Sequence, residues 1–314
     1  MLNKLFGKNK TAKVDPHGIQ PLPSAIAQSI SNVVGTRSIP PMPGAAQKAF
    51  TLSTNPNAEA RDFVEVIESD EALSARVIKI ANSVFYDRGS KPDTIEAAVT
   101  VIGLNELRGL LSATSLSEIF PSKHPLRNAI WTNDIATALT ARTIARQLAP
   151  QMEDSVFLAG LMHDVGKLLL LQRCPEEYVR VVKIVESEGV SFIDAETRRF
   201  PFSHTEVGQL IAEQWHFGPE LTKAIRLHHE PWPKETDINL ELHYIIKAAD
   251  MIAHSLGLGH PNTFQRFRNK MNEELSEAWA YLKIQPSERP ELLNAAQKAF
   301  TLECDLYNAV SGGR

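Results

Sequence analysis

In the run LAGLMHDVGKLLLL, residues 158–171, His163 and Asp164 sit side by side among apolar residues, and Lys167 follows one turn later. An ionised Asp in such surroundings is costly unless it is paired or binds a metal. Lys167 is four residues from His163 and three from Asp164, so it could meet an anionic phosphate or pair with Asp164. His204, His228, His229 and Asp250 offer the same chemistry elsewhere in the chain. Imidazoles and carboxylates together suit a divalent Mn, Fe, Zn or Ni. Such an ion acidifies water and polarises a phosphoryl oxygen, and a pair of ions can hold both attacking and leaving oxygens. No short spacing such as HExxH joins the six residues, so each keeps an ordinary alternative. His163 and Asp164 could be a buried hydrogen-bonded pair. His204 could serve its capping turn, His228 and His229 could pack on Trp232, and Asp250 could pair with Lys247 or a buried His.

The elements that must position these groups all read with helical period. Leu73, Val77, Ile80 and Val84 line one face, with Ser69 or Asp70 as cap. Asp93 is an N-cap candidate with Glu96 three residues on, and Gly103 stops that helix. A long helix runs from His124 to Pro150. EDSVFLAGLMHDVGKLLLLQRCP is apolar nearly all round and reads as one buried central helix, on which His163 and Asp164 point about 100° apart. Ser203 and Glu206 form a capping box before His204; the helix ending at His228 and His229 starts at Pro219; Asp250 interrupts the stripe Leu242, Ile245, Ala249, Ile252, Leu256, which Gly257 ends. No alternating pattern competes, so the fold class is all-α. Punctuation at 38–44, 120–125 and 257–262 divides the chain into a tail and leading helix (1–32), an N-terminal helical lobe (33–122), a second lobe carrying the His and Asp residues (123–256) and a C-terminal helical segment (257–314). The octapeptide AAQKAFTL occurs at 45–52 and again at 295–302, with unlike flanks that argue against a repeat array.

The 314 residues suffice for one large or two ordinary domains. A net charge of −4 gives no reason to expect a nucleic-acid partner. Cys174 and Cys304, far apart and outside any CxxC, make no disulfide framework and fit a reducing cytoplasm. No stretch reaches the roughly 20 apolar residues of a membrane span. Residues 1–18 read as a tail; His17, His124, His216, His243, His254 and His260 read as ordinary surface or core residues.

The order of these motifs resembles the HD superfamily of metal-dependent phosphohydrolases. More closely, IPPMPGAAQKAF through ANSVFY, then VTVIGLNELRGLL, FLAGLMHDVGKLLLL, FSHTEVGQLIAEQW and AIRLHHEPW, resemble HDOD, the HD-related output domain of bacterial signalling. The resemblance covers residues 33–235 and, more weakly, 236–256. It implies an N-terminal helical lobe packed on an HD-type lobe, with His163, Asp164, His204, His228, His229 and Asp250 as metal ligands. Two departures stand out. Where the HD pattern has a first His, this chain reads TND, which puts Asn133 in that slot, a poor ligand beside imidazole. HH is followed by EPWPKETD rather than a Gly-Tyr-Pro segment. The resemblance with these departures implies a non-hydrolytic signalling output or adaptor protein that binds a signalling protein or a small ligand such as a nucleotide. The alternative is a phosphohydrolase that acts through metal-held hydroxide, with Lys167 steadying phosphate charge.

Overall fold

The computed structural model describes residues 19–309, apart from 36–38, 42–43, 54, 56, 87–88, 90, 121, 235–239 and 260–261. The stretch read as an N-terminal tail, with His17, and also His260, lie outside the described residues. Among the described residues the chain is all helix: Ser24–Val34 (α1), Gly44–Ser53 (α2), Ala60–Glu68 (α3), Glu71–Ala81 (α4), Ile95–Ile102 (α5), Leu104–Ile119 (α6), Pro125–Leu148 (α7), Glu153–Met162 (α8), Val165–Arg173 (α9), Pro175–Glu188 (α10), Phe192–Thr197 (α11), His204–Gln214 (α12), Pro219–Leu227 (α13), Leu242–Leu256 (α14), Gln265–Tyr281 (α15) and Arg289–Ala309 (α16). None of them is long and apolar enough to cross a membrane.

Local signals set many of these boundaries. The Asp70 carboxylate accepts from the Leu73 amide and caps α4, whose buried face is Leu73, Val77 and Ile80. Thr94, one residue after the expected Asp93, caps α5 by accepting from the Ala97 amide. Its hydroxyl is reached by the third amide of the helix, which the Asp93 side chain, one residue earlier, does not reach. Gly103 ends α5 at φ 83°, and Gly257 ends α14 in the left-handed region. The capping box of α12 forms as expected, with the Ser203 amide donating to Glu206.

Two helical lobes pack on one continuous core. Helix α6 of the N-terminal lobe packs on α2, α5 and α8. Helix α7 is the spine of the second lobe: it lies against α8, α14 and α16, and its residues from Asn133 to Ala145 are all buried. The buried Arg142 of α7 donates to both Glu106 oxygens on α6 and to Glu303 on α16, so one guanidinium ties three helices from both lobes. Arg108 on α6 likewise donates to the carbonyls of Asn55 and Ala58. Both AAQKAFTL copies are helical, in α2 and α16. Phe50 stacks on Phe217, Phe300 packs half-buried near Ala136, Ala253 and Leu258, and Lys48 and Lys298 are exposed.

The expected single central helix is not one helix. It breaks after Met162, and α9 restarts at Val165. The break is a tight turn in which the Lys167 amide donates to the Asp164 carbonyl at 2.8 Å. Its cause is tertiary. Helix α9 is drawn onto α12 at Gly166 and Gly208; a Cβ at Gly166 would stand 2.0 Å from the His204 carbonyl oxygen. A straight continuation of α8 would not make that crossing. Gly166→Ala is therefore expected to cost at least about 3 kcal/mol, the upper end of ordinary overpacking, read as a lowered urea midpoint; an unchanged midpoint would refute this account of the break.

Candidate metal centre

The turn that breaks the central helix is what brings its two polar residues together. Instead of diverging by a helical step, His163 Nε2 and Asp164 Oδ2 lie 3.3 Å apart, both fully buried. The His163 Nδ1–H donates to the Gly160 carbonyl at 2.8 Å, which turns Nε2 toward the carboxylates. His204 opens α12. Its Nδ1–H donates to Glu196 at 2.7 Å, and its Nε2 lies 3.1 Å from Asp164 Oδ1. His228 caps α13; its Nδ1–H donates to the Ile225 carbonyl at 3.0 Å, and its Nε2 lies 3.5 Å from His204 Nε2 and 3.7 Å from Asp164 Oδ1. Three rings thus spend Nδ1 on outer partners and aim Nε2 at one carboxylate, the arrangement in which outer groups fix the rings of metal-binding histidines. His229 follows, its ring 4.1 Å from that of His228 and 5.1 Å from that of His204.

Asp250 enters from α14, its Oδ1 3.5 Å from His163 Nε2. From α7 the facing group is Asp134, with Oδ1 3.9 Å from His163 Nδ1. Its neighbour Asn133 is buried with its backbone against Gly259, where a Cβ would stand 2.5 Å from the Asn133 nitrogen. Candidate ligand atoms fall into two groups, each within 4.8 Å: one from Asp164, His204, His228 and His229, the other from Asp134, His163 and Asp164. Asp164 belongs to both.

The electrostatics follow from burial. Burial pushes the Asp164 carboxyl up, but His163, Lys167 and His204 outweigh it and hold the group well below the usual carboxylate range. Burial pushes His228 down to about 4, and burial, with the help of His228, also pushes His229 well below the usual imidazole range. Burial raises Asp134, and the nearby Asp164 and Asp250 add to it. Among the described residues, His229 Nε2 and both Asp134 oxygens are buried without a hydrogen-bond partner, while His163 Nε2 and Asp164 Oδ1 face only other members of the cluster. Buried polar atoms seldom stay unsatisfied. Nitrogen and oxygen donors so placed fit a divalent cation, and this cluster of buried His and Asp is a candidate site for one.

Lys167 takes the role of ion-pair partner: buried, it donates to Asp164 and lies 4.0 Å over the Phe192 ring. Trp232 stacks on Tyr244 and Tyr281 rather than on the histidines, and Lys247 donates to the Glu230 carbonyl rather than to Asp250. Three residues of the centre escaped the sequence reading. Asp134 was visible in TND beside the chosen Asn133. Glu196 stands in a polar stretch with no signal of its own. His254, one helical turn after Asp250, had the spacing to pair with it and does so at 3.1 Å. A cavity of about 300 Å³ leads inward between α11, α14 and α15 to His229 and Asp250. The larger cavity of about 810 Å³, between α2 and the start of α13, reaches none of the donors.

Comparison with known proteins agrees with this architecture. The chain is 25% identical over 213 residues to an uncharacterized protein of Treponema pallidum (strain Nichols), covering 67% of this chain and 41% of that one. It is 24% identical over 129 residues to the uncharacterized protein YuxH of Bacillus subtilis (strain 168), covering 41% of this chain and 31% of that one. The matched region thus spans less than half the length of these curated relatives. Among solved structures, an HDOD domain protein from Geobacter sulfurreducens superposes with a TM-score of 0.62 at 22% identity, over 87% of this chain and 99% of that one. A protein from Shewanella amazonensis SB2B, described as a proposed phosphohydrolase, gives 0.68 at 22% identity over 94% and 99%. One from Marinobacter aquaeolei VT8, described as a proposed signal transduction protein, gives 0.65 at 24% identity over 91% and 61%. At these identities the likeness speaks for the fold. The family model of the HDOD domain matches residues 39–231, well over half of the sequence, and the chain belongs to the HDOD family.

Proposed function

We propose that this chain is a metal-dependent phosphohydrolase of the HD superfamily that retains its ion-binding centre. The observation that carries the reading is the pair of donor groups sharing Asp164, in which the Asp134 oxygens and His229 Nε2 are buried without a hydrogen-bond partner. The case against hydrolysis drawn from the sequence rested on Asn133 and on the missing Gly-Tyr-Pro segment after His229, and the second departure stands. On this reading Asp134 fills the α7 slot and gives it a carboxylate, a proper ligand for a hard or borderline divalent ion. Asp134, His163, Asp164 and Asp250 hold one side of the centre; His204, His228 and His229 hold the other, with Asp164 between.

A divalent ion bound there supplies Lewis acidity toward a phosphoryl oxygen and acidifies water. The chain's own residues do the rest. Glu196 and the Gly160 and Ile225 carbonyls lock the three imidazoles in the tautomer that presents Nε2. Lys167 offsets the charge of Asp164. The cavity ending at His229 and Asp250 admits a ligand from one side, while the buried helices exclude water from the other. A cytoplasmic setting belongs to the same proposal and rests on two free, separated cysteines.

A second reading, a non-hydrolytic output module that binds a signalling protein or small ligand, draws on one observation. Lys167 is committed to Asp164 and is not free to meet phosphate. The two are separated by metal analysis of the purified chain, then by turnover of bis(p-nitrophenyl) phosphate and p-nitrophenyl phosphate with Mn, Fe, Zn or Ni supplied. Hydrolysis requires bound metal and turnover that falls at least about a hundredfold in His163→Ala, the upper end of what losing even a supporting residue costs. Metal without turnover favours the output module; a chain that takes up no metal rules out the hydrolase.

Two further outcomes are expected. Asp134→Asn should weaken Mn²⁺ binding at least about tenfold by calorimetry, with Asn133→Ala unchanged; the reverse pattern would return the slot to Asn133. Asp164→Ala should destabilise the metal-free chain by about 3–5 kcal/mol in urea, because it leaves Lys167 buried and unpaired, and adding Lys167→Met should recover part of that loss. No recovery would show that the pair is not the source of the cost.

A further inference from the structure

Asp250 is held by more than the groups that face the ion site. Its Oδ1 lies 3.1 Å from His254 Nε2 and 3.4 Å from the donating Thr137 hydroxyl. His254 is one turn further along the same face of α14 and 1% exposed; like Asp250, which reaches the cluster through His163, it belongs to neither donor group among the described residues. Its ring is set by aromatic neighbours. Phe192 lies nearly parallel to it at 6.5 Å between centroids, and Phe267 meets it edge-on at 4.8 Å. Phe192 and Phe267 also meet edge-on, at 5.7 Å.

Phe267 belongs to α15, which lies beyond the residues matched to the family. The helix face that carries it continues through Lys270, Met271 and Glu274 and forms the outer wall of the cavity that ends at His229 and Asp250. One helix face therefore does two things: it holds the ring that holds Asp250, and it bounds the space in front of the donors.

A carboxylate ligand is effective only when its rotation about Cβ–Cγ is fixed, and outer hydrogen bonds do that fixing. We propose that His254 is a positioning residue of the metal centre, orienting Asp250 through its hydrogen bond, and that α15 is part of the centre because Phe267 holds His254 in place. The inference rests on the metal-centre reading given above. His254 lines the same cavity and donates from Nε2 to Asp250, and the role assigned to it is that hydrogen bond.

The test uses the full chain and Mn²⁺ alone, with affinity read by calorimetry and the ligand field by electron paramagnetic resonance. His254→Phe keeps a ring of similar shape and removes the donor; it should weaken Mn²⁺ binding by about 10–100-fold and broaden the spectrum. His254→Gln carries an amide N–H at similar reach and should restore most of the affinity. Phe267→Ala, which leaves His254 in the chain but unclamped, should fall between wild type and His254→Phe. Thermal melting of the metal-free variants checks that each is folded, and if His254→Phe is not, the Gln and Phe267 variants decide. Unchanged affinity in His254→Phe beside a clear loss in Asp250→Asn overturns the positioning role while leaving the metal centre standing. Equal losses in the Phe and Gln variants overturn it too. A wild-type chain that binds no Mn²⁺ overturns the metal-centre reading and this inference with it.

Discussion

The carboxylate of Asp164 is buried, with Nε2 of His204 and of His228 within 3.7 Å of its Oδ1, and His163 Nε2 and the Lys167 ammonium sharing its Oδ2. A buried carboxylate ionises only if its surroundings return what water would have given. Here they do so with cationic or polarisable groups drawn from α9, the α8–α9 turn, α12 and the end of α13. Each of those elements has to arrive at a set place, and much of the second lobe can be understood as the means of bringing them there. The paired charges need not add net stability, since desolvation of both partners offsets much of their attraction. What they do is make wrong arrangements expensive: any packing that leaves Asp164 or Lys167 alone strands a charge.

Glycines set the spacing that this demands. Gly166 and Gly208 let α9 and α12 approach backbone to backbone, which carries His204 to Asp164. Gly160 lets α8 lie on α7, where a Cβ would stand 2.4 Å from the Ala138 Cα. Gly259, at positive φ, lets the turn after α14 close on the α7 backbone at Asn133. That packing engages the Asn133 backbone, and the next residue, Asp134, is the one whose side chain faces His163. Outer partners then finish the orientation, with Glu196, Gly160 and Ile225 each taking one ring proton.

Much of this was legible in the chain because it is local. A cap such as Asp70 or the Ser203–Glu206 box acts within one turn, and a glycine stop such as Gly103 or Gly257 needs no knowledge of the rest of the fold. The order of His163, Asp164, His204, His228, His229 and Asp250 was legible as a motif for the same reason: residue type and helix assignment suffice to read it. What was hidden is tertiary. The break at His163 and Asp164 lies between two apolar stretches that are each good helix, and only the demand of α12 on Gly166 interrupts them. Asp134 and Asn133 are adjacent, and which one faces inward depends on how α7 is rotated by α14 and α16. The roles of Glu196 and His254 exist only once α11 and α14 have been packed.

The packing of α16 on α7, α6 and α14 has a bearing on how the molecule comes into being. Near the other end of the described chain, the Leu22 amide donates to Glu213 and the Gln20 carbonyl accepts from Gln209, both on α12. Contacts so distant in sequence slow folding, because long loops must close before they are rewarded. On the ribosome, Asp134, His163 and Asp164 emerge well before Asp250, and Arg142 waits longer still for Glu303. The growing chain therefore carries His163 and Arg142 without all their partners until α14 and α16 appear. The cluster of His and Asp residues is complete only once α14 has been made, and a chain that exposes its apolar helices meanwhile is the kind of species that chaperones shelter.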